Sequence, residues 1–153
     1  MANTINIKKL FDNQMKNGKF CRYDIMLRYL FIENYYKDGE LENFQFKPHA
    51  KLIKLRNRKY PSEKFIKLIK SFEVLGYSEE FPIVLDKNGI IRNGGHRLAC
   101  CMWFKIYQIP FRVNPKKKGK KIFDNKWMTD NGFKKYIPTL KQTKKKLFEG
   151  FDQ

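Results

Sequence analysis

The residues with the most chemical promise are Asn93-Gly94-Gly95-His96-Arg97, which lead without a gap from a short apolar segment into a stretch of helical spacing. Paired glycines let the backbone turn tightly and let a ligand approach the main chain. A helix that starts at such a turn presents unpaired N–H groups and a partial positive charge, a combination suited to phosphate. Arg97 adds a planar fork of donors matched to phosphate oxygens, and His96 adds a second side-chain donor and a candidate catalytic group. Each of these residues also has a plainer reading. A Gly-Gly pair can be only a turn, Arg97 can pair with a surface carboxylate, and His96 can pack the turn through hydrogen bonds. Asn93 is either a turn residue or a ligand contact.

Two further features could carry chemistry. Glu63 is the best-placed carboxylate for a general base, although a charge at a helix N-terminus explains it equally well. The run Lys116-Lys117-Lys118-Gly119-Lys120-Lys121 has no apolar periodicity and reads as a solvated loop or a polyanion contact. Zinc-type spacing of cysteine or histidine is absent, and His49 and His96 are the only histidines, so no metal ligands are assigned.

The elements that must position these residues follow from periodicity. Apolar residues from Arg22 to about Lys37 recur at three- and four-residue steps and predict an amphipathic helix, ending near Gly39 and packed on the core. Ser62 is placed to cap a second helix, whose face is Phe65, Ile66, Leu68, Ile69, Phe72 and Leu75 and whose end is Gly76. Pro82 to Leu85 and Ile90 to Arg92 flank Asp86-Lys87-Asn88-Gly89 and read as a hairpin. A helix from Leu98 to Ile106 and a strand from Ile109 to Val113 follow. Trp127 to Phe148 suggest one or two helices covering the core. The fold class is α/β (α+β): a small mixed sheet with packed helices, an N-terminal helix and a helical C-terminal extension. The expected division is 1–50 as N-terminal extension, 51–113 as core and 114–153 as Lys-rich loop and tail.

Composition bounds the rest. The chain has 153 residues, 33 Lys+Arg against 15 Asp+Glu, a formal charge of +18 and 16% aromatic residues. That length suits one domain, and the aromatic content excludes a disordered chain. Residues 1–50 carry 8 basic and 6 acidic groups, 51–113 carry 13 and 5, and 114–153 carry 12 and 4, so the excess lies in the last two-thirds. Such a field concentrates polyanions or phosphorylated ligands without naming them, and it also fits lysines on solvated faces. The longest nearly apolar stretch, Ile25 to Ile32, contains Arg28 and is too short to span a membrane. Without a secretory signal, and with the odd cysteines Cys21, Cys100 and Cys101, a cytoplasmic location is expected.

Over about two-fifths of the chain, Leu52 to Val113, the sequence resembles the ParB/sulfiredoxin-like domain. The matching residues are Ile69 to Phe72 with Gly76, Pro82-Ile83-Val84, Gly94-Gly95-His96-Arg97-Leu98-Ala99, and Ile109-Pro110-Phe111-Arg112-Val113. The resemblance implies a nucleotide whose phosphates sit at the Gly-x-His-Arg turn, contacted by Gly94, Gly95, His96 and Arg97. It also implies a basic residue upstream of the first helix, a place held here by Arg56 or Arg58. Gly95 stands where sulfiredoxins carry their reactive cysteine, so peroxiredoxin repair is not expected. Asn93 stands where the free serine kinases of this fold carry an aspartate.

Three functions follow as expectations. One is a phosphotransferase using ATP or another nucleoside di- or triphosphate, with or without Mg²⁺, on a small or sugar-linked hydroxyl, with Glu63, Asn93 and His96 as catalytic residues. Another is a nucleic-acid-binding protein or nuclease that holds a backbone phosphate at the same turn, aided by Lys116, Lys117, Lys118, Lys120 and Lys121. The third is an inactive member that binds a partner.

Overall fold

The computed structural model describes residues 3–38, 44–116 and 122–151. Strand β1 (Asn3–Asn6) leads into α1 (Ile7–Asp12), then a short hairpin of β2 (Met15–Lys16) and β3 (Lys19–Phe20). Helices α2 (Tyr23–Asp38), α3 (Lys47–Leu55) and α4 (Ser62–Leu75) follow. Next come β4 (Ile83–Leu85), β5 (Ile91–Asn93), α5 (Gly95–Trp103) and β6 (Gln108–Val113). The chain ends with α6 (Asn125–Asp130), a 3-10 turn at Lys134–Tyr136 and α7 (Ile137–Gly150). This is the α/β class expected, a mixed sheet wrapped by helices. Among the described residues, no helix is long and apolar enough to cross a membrane.

The main sheet has the order β1-β6-β4-β5. Strand β6 is parallel to β4 and antiparallel to β1, and β4 pairs antiparallel with β5. The expected hairpin is therefore present, closed by Asp86, whose carboxylate accepts from the backbone N–H groups of Asn88 and Ile90. Its register carries a bulge: Val84 faces Asn93 and Leu85 faces Ile91, so Arg92 is the inserted residue. A bulge bends the strand and re-aims its side chains, and here Arg92 and Asn93 both line one cleft.

Helix α2 departs from its expected role. Every residue from Tyr23 to Ile32 is buried, so its first ten residues form the middle of the core rather than an amphipathic cover. A helix apolar on nearly all sides must be surrounded, and α2 packs chiefly on α5. The boundary expected at 50/51 falls inside α3, and β1 completes the sheet. Among the described residues before position 51, α1, α2 and the start of α3 thus contribute to the core. Helix α4 also starts differently: Pro61 is the N-cap, no side chain caps it, and Ser62 is the first helical residue. The cysteines Cys21, Cys100 and Cys101 are buried and free, and burial pushes the thiols of Cys100 and Cys101 well up, away from nucleophilic use.

Candidate functional site

A cleft of about 1060 Å³ lies between α4, the end of β5, the start of α5 and the Arg56–Tyr60 connection. Six arginines line it, Arg22, Arg28, Arg56, Arg58, Arg92 and Arg97, together with Lys59 and Lys64. Among the described residues, Glu80 is the one carboxylate on its wall. Its apolar lining comes from Leu68, Phe72, Leu75, Tyr77 and Phe81.

The glycine turn forms the cationic end. Gly94, the N-cap of α5, has φ 106°, and a Cβ there would lie 2.5 Å from Ile83 Cδ1. Both the conformation and the contact demand glycine. A Cβ on Gly95 would lie 3.1 Å from Arg28 Nη1, so the second glycine admits the arginine. No side chain caps α5, so its first N–H groups lack a side-chain partner at a turn whose residues line the cleft.

Beneath the turn sits a buried charge network. Asp24 is fully buried and accepts two hydrogen bonds from Arg22, at 2.9 and 3.0 Å, and one from Arg28 Nη1 at 2.7 Å. Burial pushes the Asp24 carboxyl up, but the charges and hydrogen bonds of Arg22 and Arg28 outweigh it and hold the group well below the usual carboxylate range. Arg22 Nη1 also donates to the Ile91 carbonyl at 2.7 Å, which ties α2's entry to β5. Arg56 stands above this network, over the Phe123 ring at 5.1 Å. Its burial, and then the repulsion of Arg28, push its pKa down to about 10. One carboxylate thus faces three arginines at close quarters.

His96 lies in an aromatic clamp. Tyr60 stacks on it with centroids 3.8 Å apart and planes at 12°, and Phe65 meets it edge-on at 4.6 Å. Its Nε2 is 2.9 Å from Nε2 of His49 and 3.3 Å from Arg28 Nε. Burial, followed by Arg28, lowers the pKa of His49 to about 3; burial and the same arginine, then His49, hold His96 well below its ordinary value. Both rings are neutral at pH 7.

The sequence-based candidates are only partly brought together. Arg56, Arg58, Asn93, Gly94, Gly95, His96 and Arg97 all line the cleft. Glu63 does not: it is exposed on α4 and is not among the lining residues. Arg97 spends Nη1 on the carbonyls of Phe81 at 2.6 Å and Pro82 at 3.3 Å, so half of its fork clamps the chain entering β4 rather than waiting for phosphate. Lys116 is exposed and off the cleft wall, and Lys117, Lys118, Lys120 and Lys121 lie outside the described residues.

The residues that sequence reasoning missed are Arg22, Asp24, Arg28, His49, Tyr60 and Lys64. The first three did leave a signal, since three charged residues stand within seven positions at the head of a helix that is otherwise apolar through Ile32. Charges in such surroundings are paired or functional.

The donor set fits phosphate and not a divalent cation. Hard cations need several anionic or carbonyl oxygens, whereas the wall offers Glu80 among eight cationic side chains. Among the described residues there is no group of three or more His, Cys, Asp or Glu side chains that could hold a metal, and Arg28 stands against the one nitrogen pair, His49 and His96, that could start one. Comparison with protein-family models, with curated proteins and with solved structures finds no match to this chain.

Proposed function

We propose that the cleft binds a phosphate-bearing small molecule of the nucleoside di- or triphosphate kind, with its phosphates against the α5 N-terminus, Arg28 and Arg56. The observation that carries this reading is the imbalance of charge at the base of the cleft, buried Asp24 alone against buried Arg22 and Arg28 and half-buried Arg56. Cations held out of water and repelling one another are stabilised by an anion that enters among them. The apolar wall of Leu68, Leu75 and Phe81 suits the uncharged end of such a ligand. The resemblance to ParB/sulfiredoxin-like domains, which hold nucleotide phosphates at a Gly-x-His-Arg turn, points the same way.

The reading stops at binding. Phosphoryl transfer needs a group to deprotonate the acceptor, and Glu63 is not among the lining residues while the Nε2 atoms of the two histidines are engaged with each other. A second reading has the same cations hold a nucleic-acid backbone, favoured by Arg58 and Lys59, which line the cleft and are exposed at its rim.

A thermal-shift panel decides between them. ATP, CTP and GTP, each with and without Mg²⁺, are compared with a short DNA duplex at 50 and 200 mM salt. At a hundred times its dissociation constant, a nucleotide adds about 2.7 kcal/mol, a shift of roughly 5 to 10 °C for a domain of this size. A shift by DNA alone, steeply salt-dependent, replaces the nucleotide reading with the nucleic-acid one. No shift by any of them overturns both.

A further inference from the structure

His49 belongs to no motif, yet it is 1% exposed, sits between the rings of Phe31 and Phe65, and aims its Nε2 at Nε2 of His96. Two imidazole nitrogens 2.9 Å apart can share only one proton. Which ring supplies it is set by the third group present. Arg28 Nε always carries a hydrogen, because a guanidinium keeps its proton in proteins, and it donates to that same His96 nitrogen at 3.3 Å. His96 Nε2 is therefore the acceptor of both contacts, His49 Nε2–H is a donor, and the proton of a neutral His96 resides on Nδ1. Among the described residues nothing hydrogen-bonds His96 Nδ1, and it is not one of the buried polar atoms left without a partner, so it is reached by solvent, and His96 is itself a lining residue of the cleft.

We infer that Arg28 and His49 lock His96 as a neutral donor whose Nδ1–H faces the cleft, which makes His49 a positioning residue for the oxygens of the bound phosphate. The ligand half of this inference rests on the proposed nucleotide reading; the tautomer half stands without it. The tautomer matters because a ring with its Nε2 lone pair already occupied cannot take up a proton from a substrate. A hydrogen-bond donor that stays neutral and fixed is what remains. Tyr60, stacked at 3.8 Å, and Phe65 hold the ring plane, so the donor has one direction. His49 acts at one remove, through the ring that it orients, as the outer partner of a metal-bound histidine does.

The chain contains only these two histidines, so a long-range ¹H–¹⁵N correlation spectrum of the uniformly labelled protein at pH 7 resolves both rings without ambiguity. The expected spectrum shows two neutral rings, His96 protonated on Nδ1 and His49 on Nε2. Added ATP then moves the His96 Nδ1 resonance and leaves the His49 pattern in place. His49→Gln, whose amide can still donate, keeps the His96 pattern. His49→Phe removes the donor, leaves Arg28 as the one hydrogen-bond donor to His96 Nε2, and weakens ATP about five- to tenfold, the loss of roughly one hydrogen bond. A His96 protonated on Nε2, or an imidazolium at pH 7, overturns the lock even if ATP binds. ATP binding that leaves Nδ1 unmoved overturns the donor role. The expected tautomers with no ATP binding support the lock and sink the nucleotide reading instead. If His49→Phe fails to fold, the wild-type spectrum and His49→Gln still decide.

Discussion

His49 and His96 are 47 residues apart in sequence and 2.9 Å apart in space. The contact joins α3 to the first turn of α5 and sets the buried His49 ring behind His96, which lines the cleft beside Arg28, Arg56 and Lys64, the cations that act on it.

That neutrality makes the fold acid-sensitive. In the unfolded chain both histidines titrate near their ordinary value of 6.5, whereas in the fold His49 is pushed down to about 3 and His96 well below 6.5. The unfolded state thus binds more protons as pH falls through 6.5, and stability is lost in that direction. Each histidine removes up to about 1.4 kcal/mol per pH unit below 6.5. Urea unfolding at pH 7.5, 6 and 5 should show full stability at the first and a progressive fall after it. A flat profile from 7.5 to 5 contradicts two neutral rings.

Asp24→Asn should be among the most damaging single changes. It leaves Arg22 and Arg28, 1% and 2% exposed, without their shared counter-charge. Breaking a buried pair by removing one partner costs about 3 to 5 kcal/mol. Guanidinium denaturation measures it, and a loss below about 1 kcal/mol means that the arginines escape to water.

Gly94→Ala and Gly76→Ala separate strain from crowding. Both glycines have positive φ, 106° and 71°, but nothing lies within 4 Å of a Cβ at Gly76, whereas Ile83 Cδ1 blocks the one at Gly94. Gly76, with ψ −159°, sits in a region that only glycine readily adopts, so Gly76→Ala should cost about 1 to 3 kcal/mol for conformation alone. Gly94, with ψ 20°, is in the milder left-handed region, and Gly94→Ala should add about 1 to 3 kcal/mol of overpacking against β4 to that strain. A loss at Gly94 below about 1 kcal/mol by chemical denaturation argues against the Ile83 contact.

Arg56→Ala and Arg97→Ala should act on different properties. Arg56 is held among like charges, so its removal leaves the ligand-free fold as stable or more so while weakening ATP in calorimetry. Arg97 clamps the Phe81 and Pro82 carbonyls, so its loss should lower stability by about 1.5 kcal/mol. The reverse pattern reassigns the two residues.

Glu63→Gln serves as the control. The side chain is exposed and off the cleft wall, so stability within about 0.5 kcal/mol and unchanged ATP affinity are expected. A clear loss of affinity places Glu63 at the ligand after all.

Strong local signals were legible in the sequence. The Asn-Gly turn forced the β4–β5 hairpin, the Phe65–Phe72 periodicity forced α4, and Gly94-Gly95 marked the start of α5. What stayed hidden depends on distant partners. Strand β1 has a single apolar residue, Ile5, in Asn3–Asn6, and it becomes a strand only because β6 offers a free edge. His49 offers no spacing to read, because its meaning comes from His96 across the core. The bulge at Arg92 is likewise a property of the pairing, not of the residues themselves. Arg28 was visible but served only to break an apolar run; its role needed the knowledge that α2 is enclosed.

The enclosure of α2 also sets an order of events during synthesis. Its principal cover, α5, begins at Gly95, 57 residues after α2 ends at Asp38. At about 5 to 20 residues per second, that interval is roughly 3 to 11 s. For that time a helix apolar on nearly all sides, with two arginines and one aspartate among its first turns, has no finished interior to enter.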